Sequence, residues 1–410
     1  MFESENKLRH LPFFEEIASL DEAHADWRAA TAGLVVLRLV DAWLEDGPAV
    51  ASDDGWSVRS VRNAIDEMDE GTPIRAILGR VVDALNERKP DIHVVVTPLM
   101  AFGRSLEYAG KWVLAADVYH TVLAHLHPVE DGDASIAAHL RLGQCYRNMN
   151  QLDDAAEAFA SASSIADGAG DMVAVLRAQV GHGIVALLRG NLPGAEEILD
   201  DAIERAVGVS LSDVRSRALH VRSNVAQLRG QYELAVRFGY QALSSSETPT
   251  ERDRILSDMG VAFMELGVYT AARDAYLVLS ATAQEQYIRW AATINLLEIS
   301  SKTGVETFFE AYRRELTGQA LPPYLATAFE LNVGIGYRRF GNFERARGYL
   351  ERALALATEH GLSQYLFEAE EALFQLETSS PAQPLQPKLS LEVEEVANAI
   401  RELRESVGVS

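Results

Sequence analysis

The stretch LRLGQCYRNMNQLDDAAEAF, residues 140–159, decides the fold. Its apolar residues recur at helical spacing on both sides of Asn150. Asparagine, like glycine, tolerates the left-handed backbone conformation that ends many helices, so a turn is predicted at this position. A small residue precedes the turn by seven positions (Gly143) and another follows it by five (Ala155). The stretch therefore predicts two helices that pack closely against each other around a tight turn.

The same arrangement recurs along the chain. The residues that align with the turn are Gly110, Asn150, Gly190, Gly230, Gly267, Gly304 and Gly341, the first four spaced by 40 residues and the later ones by 37. Seven positions before each turn stand Gly103, Gly143, Gly183, Ser223, Gly260, Leu297 and Gly334. Five positions after each turn stand Ala115, Ala155, Ala195, Ala235, Ala272, Phe309 and Ala346. Six units fit the pattern, whereas the unit at Gly304 departs from it at Leu297, Glu306 and Phe309 and is predicted to pack weakly.

This order of small and large residues resembles the tetratricopeptide repeat over about residues 98–377. The resemblance implies an all-α fold, a right-handed superhelix (an α-solenoid) of about seven helix-turn-helix repeats. It also implies that the first helix of each pair lines a concave groove that binds a peptide or a protein segment.

Four regions are predicted along the chain. Residues 12–92 lack the repeat pattern and form an N-terminal helical capping bundle, preceded by a mobile tail over residues 1–11. Residues 98–377 form the repeat array with its closing helix. Three prolines make residues 378–388 an extended linker.

Residues 389–406 are predicted to form an amphipathic helix. Its apolar face consists of Leu391, Val393, Val396, Ile400 and Leu403. Such a face has to be covered, and the sequence leaves three places open: the chain's own groove, a second copy of the chain in self-association, or a partner protein.

The charge and the apolar stretches exclude several classes of partner. The formal net charge is −23, from 60 acidic and 37 basic residues, which disfavours nucleic-acid binding. The longest apolar stretch, residues 29–44, contains Arg38 and Asp41 and is too short to span a bilayer, so no membrane association is predicted. The single cysteine, Cys145, fits a reducing compartment. Because residues 1–10 lack the apolar run of a signal peptide, a cytoplasmic location is predicted.

The sequence carries no recognisable catalytic motif. It has no H-E-x-x-H, no P-loop, no dinucleotide-binding glycine motif and no cysteine pair for zinc. His120, His125 and His127 are spaced so that they do not share one helix face, which disfavours a metal site. We therefore predict no enzymatic activity, no cofactor and no metal.

The predicted groove is more informative. Arginine stands thirteen positions before three successive turns, at Arg177, Arg217 and Arg254. The resemblance places further groove residues on the first helices: Arg141, Gln144, Arg147, His220 and Asn224. It also implies that Asn224 holds a peptide backbone, whereas Met100, Leu140 and Val180 replace the lysines of the family's carboxylate clamp. An arginine stripe suits an acidic peptide because guanidinium groups bind carboxylates with paired hydrogen bonds. The alternative is that each arginine pairs with a local acid such as Asp213 or Asp258.

Three functions remain compatible with the sequence. The first is a non-enzymatic scaffold or adaptor that binds a protein or an acidic peptide in the groove. The second is a bacterial receptor for a signalling peptide, which the long repeats and the N-terminal bundle weakly resemble. The third is a regulatory subunit of an enzyme complex.

Overall fold

The computed structural model describes residues 8–46, 58–85, 91–127, 130–207, 211–378 and 389–409. Within these ranges the chain forms 20 helices and no strand, which confirms the predicted all-α fold. The chain divides into two compact units, here unit 1 (up to Ile198) and unit 2 (from Leu199 onward). None of the helices in the described ranges is long and apolar enough to cross a membrane. The linker is predicted over residues 378–388; Thr378 is the last residue of a helix, and residues 379–388 lie outside the described residues.

The helices follow one another in antiparallel pairs. In unit 1 they are α1 (Leu11–Ser19), α2 (Ala25–Asp46), α3 (Val58–Asp66), α4 (Pro73–Leu85), α5 (Ile92–Tyr108), α6 (Trp112–Ala124), α7 (Gly132–Asn148), α8 (Leu152–Ala169) and α9 (Met172–Leu188). Helix α10 (Leu192–Arg205) contains the boundary between the units. In unit 2 they are α11 (Ser212–Leu228), α12 (Tyr232–Ser245), α13 (Pro249–Glu265), α14 (Tyr269–Thr282), α15 (Gln286–Lys302), α16 (Glu306–Leu316), α17 (Pro323–Arg339), α18 (Phe343–Glu359), α19 (Ser363–Thr378) and α20 (Leu391–Ser406).

The seven predicted turn residues all adopt the left-handed conformation, with φ between 59° and 77°. At Gly110 the turn closes with two backbone hydrogen bonds, from Gly110 N to Glu107 O and from Lys111 N to Leu106 O, both 2.9 Å. This pair of bonds defines the Schellman motif, which satisfies the last carbonyl groups of a helix. The same two bonds recur at the other six turns. The second helix of each pair begins two residues after the turn, so the register predicted from the sequence is confirmed.

The small residues allow the two helices of a pair to approach closely. The residues five positions after the turns are all fully buried. A Cβ atom added at Gly143 would lie 2.7 Å from Phe159 Cε1, and one at Gly103 would lie 2.5 Å from the Tyr119 ring. Where Ser223 replaces the glycine, the facing position is itself a glycine, Gly239, so the close approach is kept.

The unit at Gly304 is built differently. Phe309 replaces the usual alanine and is fully buried. Its ring lies 5.4 Å from that of Tyr337 and 5.2 Å from that of Phe340, both in edge-on geometry. A Cβ atom added at Gly336 of α17 would collide with Phe309, so this glycine makes room for the larger ring. The departure from the repeat pattern is therefore compensated by a change on the next first helix.

The N-terminal helices share a hydrophobic core with the first repeats. Phe13 of α1 and Phe102 of α5 belong to the same buried cluster, with ring centroids 6.3 Å apart. The prediction of a mobile tail over residues 1–11 is wrong for its last residues. The His10 side chain is only 4% exposed and lies between Asp41 and Asp117, and α1 begins at Leu11. Two carboxylates on separate helices bind this imidazole, a contact that local sequence does not reveal.

Helix α20 docks on its own chain. Val393, Val396 and Ile400 are buried in the cluster that α12 and α14 also form. The helix thus packs on its own chain, although not in the groove, which was the place on its own chain that the sequence left open. The helix packs on the second helices of two repeats rather than on the first helices that the family resemblance places in the groove.

Candidate peptide-binding surface

The predicted binding residues lie on the first helices of four pairs. In unit 1, Arg141, Gln144 and Arg147 lie on α7 and Arg177 lies on α9. In unit 2, Arg217, His220 and Asn224 lie on α11 and Arg254 lies on α13. Each unit therefore carries its own part of the predicted surface.

In unit 1, Arg141 is already held by an acidic partner. Its guanidinium donates to Glu107 Oε2 at 3.1 Å, and the Tyr119 hydroxyl donates to Glu107 Oε1 at 2.5 Å. Burial, with a smaller effect of Glu107, raises the pKa of Tyr119, which keeps this hydroxyl protonated. Arg141 is therefore tied to the preceding repeat. Gln144 and Arg147 are half-buried on the same helix, and Arg177 is exposed on α9.

In unit 2, a polar seam joins α11 to α13. His220 Nε2 lies 2.7 Å from Asp258 Oδ2, and Gln227 Nε2 donates to the Asp258 backbone carbonyl at 2.9 Å. The amide oxygen of Asn224 is buried and has no hydrogen-bond partner among the described residues. A buried carbonyl oxygen without a donor costs about 1–3 kcal/mol. A ligand N–H group that reached this oxygen would remove that cost.

The arginines of unit 2 extend into solvent beside this seam. Arg217 and Arg254 are both exposed. Arg254 lies 3.9 Å from Glu285, a distance at which an exposed ion pair contributes little. Asp258, one of the acids considered as a local partner, is instead paired with His220. Arg217 and Arg254 thus place exposed side chains on neighbouring first helices.

Sequence reasoning missed two exposed tyrosines on the first helices of unit 2. Tyr287 and Tyr324 stand seventeen positions before Gly304 and Gly341 and are 45% and 49% exposed. The ring of Tyr324 lies 5.0 Å from that of Tyr365 on the closing helix α19, edge-on. Alignment on the turns would have revealed their common register. Aromatic rings with polar tips are frequent in protein interfaces.

Unit 1 also contains a cleft of about 540 Å³ between α6, α7 and α8. His120, His139, Tyr146, Asp154 and Glu157 line it. The Tyr146 hydroxyl lies 2.7 Å from His120 Nε2, and His139 Nδ1 is buried without a partner among the described residues. Burial lowers the pKa of both imidazoles. The described part of the chain holds no group of three or more His, Cys, Asp or Glu side chains placed to bind a metal ion.

Consecutive antiparallel helix pairs with these turns define an α-solenoid repeat protein. Models of the tetratricopeptide repeat match residues 137–163 and 331–361. These two stretches are thus tetratricopeptide repeats, as the repeat register predicted. No curated protein matches the sequence.

Several solved structures are similar to this chain at low sequence identity. The apo form of the quorum sensor NprR from B. thuringiensis is 13% identical, with a TM-score of 0.51 over 84% of this chain and 92% of that one. A Rap protein complexed with competence and sporulation factor is 13% identical, with a TM-score of 0.47 over 83% and 100% of the two chains. Aspartyl phosphate phosphatase F from Bacillus subtilis is 12% identical, with a TM-score of 0.49 over 82% and 95%. At this identity the likeness concerns the fold.

Proposed function

We propose that this protein is a non-enzymatic receptor for an acidic peptide or protein segment, which binds on the first helices of the repeats. The observation that carries the proposal is the polar seam of unit 2. There, the amide oxygen of Asn224 is buried without a partner among the described residues, and Arg217 and Arg254 are exposed on the same two helices. Asn224 would accept a hydrogen bond from a peptide N–H group, and the arginines would hold carboxylates.

The spacing of the two arginines suits an extended ligand. Neighbouring packed helices lie about 8–10 Å apart. An extended peptide advances about 3.3 Å per residue, so acidic side chains about three residues apart would meet Arg217 and Arg254 in turn. Tyr287 and Tyr324, on the next first helices of unit 2, offer aromatic surface for the continuation of the ligand.

The more specific form of the proposal is a bacterial receptor for a signalling peptide. The likeness of this fold to the quorum sensor NprR, at a TM-score of 0.51, favours it over a general adaptor. The buried thiol of Cys145 and the absence of a second cysteine in the sequence fit a reducing compartment, and we place the receptor in the cytoplasm.

The test is a triple change of the arginine stripe, Arg177→Glu, Arg217→Glu and Arg254→Glu. Binding of a synthetic peptide with glutamate at every third position is measured by fluorescence anisotropy and should fall by at least tenfold. Helicity and thermal unfolding should not change, because all three side chains are exposed. Asn224→Ala should weaken binding as well, since it removes the amide that accepts from the peptide backbone.

Arg252→Glu is the matched control for the single variant Arg254→Glu, because Arg252 is exposed on α13 two residues from Arg254 and both changes replace one arginine by glutamate. Equal losses in these two single variants would mean that net charge alone governs binding. Unchanged binding in the folded triple variant would place the binding face elsewhere.

A further inference from the structure

Helix α20 bridges two repeats of unit 2. At its N-terminal end, Glu392 pairs with Arg237 of α12 at 2.8 Å, and the Ser390 backbone N–H donates to Glu233 Oε1 at 3.4 Å. At its C-terminal end, Arg404 pairs with Asp274 of α14 at 3.3 Å. Val393, Val396 and Ile400 lie between these ends in the shared core. One helix therefore fastens the second helices of two successive pairs to each other.

The interface between α20 and helices α12 and α14 contains buried polar groups that lack hydrogen-bond partners among the described residues. Arg404 Nε and Ser390 Oγ are buried without a partner among the described residues. The Asp274 side chain is 6% exposed, and burial raises its pKa even though Arg404 acts in the opposite direction. Buried ion pairs of this kind often contribute less than apolar contacts would, and unpaired buried donors oppose docking. The apolar face holds the helix in place, while its polar margin favours release.

The helices that α20 fastens belong to the pairs that carry the polar seam. Helices α12 and α14 are paired with α11 and α13, which carry Arg217, His220, Asn224 and Arg254. The same two pairs are thus joined through their first helices by the His220–Asp258 contact and through their second helices by α20. Because the helices within a pair are close-packed, each pair moves as one body. A ligand that draws α11 and α13 together therefore spreads α12 and α14.

We propose that α20 is a displaceable latch whose release is coupled to ligand binding on α11 and α13; this inference rests on the function proposed above. A peptide bridging Arg217 and Arg254 closes the first helices and opens the seat of α20. Release exposes the apolar face of α20 and the matching face on α12 and α14, which together form an effector surface for an amphipathic helix. By linkage, removing the latch strengthens peptide binding by the same factor by which the peptide weakens the latch.

The test uses full-length variants that shift the latch in opposite directions. Val396→Asp and, separately, Ile400→Asp place a charge in the buried face and release the helix. The double change Asp274→Leu with Arg404→Leu replaces the buried ion pair with apolar contact and holds the helix more tightly. Glu402→Gln, on the exposed side of α20, is the control. Affinity for the glutamate peptide should rise at least threefold in the released variants, fall at least threefold in the tightened one and stay constant in the control.

Hydrogen exchange provides a second test that does not depend on measured binding constants. Saturating peptide should speed exchange over residues 391–406 of the wild-type chain. Without peptide, Val396→Asp should speed exchange in α11 and α13, the first helices of the two pairs that α20 fastens. If the peptide binds and the released and tightened variants bind it with equal affinity, the proposal that α20 is a latch is wrong.

The two proposals fail in different ways. If no variant binds the peptide but release of α20 still alters exchange in α11 and α13, the coupling stands and the acidic ligand is wrong. If the peptide does not bind and α11 and α13 keep wild-type exchange after release, the coupling itself is wrong.

Discussion

His10 brings two carboxylates together in unit 1. Its Nδ1 lies 2.7 Å from Asp117 and its Nε2 lies 3.2 Å from Asp41, which also meets His125 at 3.0 Å. Burial alone would lower the pKa of His10, but the two carboxylates outweigh it and raise the pKa from 6.5 to about 9. The contact joins the N-terminal helices α1 and α2 to α6, so the charge on this imidazole bears on the stability of unit 1.

The stability of unit 1 should therefore fall on the alkaline side. A raised folded-state pKa contributes stability that is fully present below the unfolded value of 6.5 and is lost as pH rises through about 9. The loss is on the order of 3 kcal/mol at most. Urea unfolding at about pH 6 and pH 10 measures it through tryptophan fluorescence, because four of the five tryptophans precede residue 199, namely Trp27, Trp43, Trp56 and Trp112.

The variant His10→Gln should remove most of this alkaline loss. His127→Gln is the control, since His127 is exposed in the same unit. If the His10 variant kept the wild-type slope between the two pH values, the titration of His10 would not be the source of the alkaline loss.

At the scale of the helix, α16 depends on very few buried residues. It is 11 residues long, and among its described residues only Phe309 and Leu316 are buried. By comparison, α14 buries eight of its 14 residues. Phe309 is the residue that fills the space left by Gly336, so the compensated repeat relies on one ring. The weak packing predicted for this unit from its sequence stays a prediction, now localised to α16.

Phe309→Ala should therefore destabilise this repeat by about 3–5 kcal/mol, the usual range for removing a buried aromatic ring. We expect hydrogen exchange to be faster over residues 306–316 than over α11 and α12 in the wild-type chain. This difference should be larger in the variant. Phe308→Ala is a matched control, because the neighbouring ring is 49% exposed and its loss should change stability by about 0.5 kcal/mol or less. Similar effects of the two changes would show that Phe309 does not anchor the helix.

For the whole molecule, the sequence was most informative where backbone geometry restricts residue choice. The turns were located from Gly110 to Gly341 because few residues other than glycine and asparagine adopt a positive φ. The fold followed from that register. The exchange between Phe309 and Gly336 did not, because the compensating residue lies on another helix. The sequence also did not reveal the contact of His10 with Asp41 or the docking site of α20, because each joins segments that are distant in sequence. For the candidate site, the register located the arginines, but only the structure shows that the Asn224 oxygen is buried without a partner among the described residues.

The net charge of −23 leads to a prediction about the kinetics of peptide binding. At long range an acidic peptide is repelled by the chain as a whole, whereas Arg217 and Arg254 attract it only at short range. Salt screens the long-range repulsion first, because the Debye length falls from about 30 Å at 0.01 M to about 8 Å at 0.15 M ionic strength. The association rate constant should therefore rise between these two concentrations, in contrast to the usual fall for oppositely charged partners. The dissociation rate constant should rise as well, because the short-range ion pairs weaken.

Stopped-flow anisotropy with the glutamate peptide separates the two rates, and a neutral glutamine analogue provides the comparison. An association rate that fell with salt would mean that the local arginine field, and not the net charge, controls the encounter.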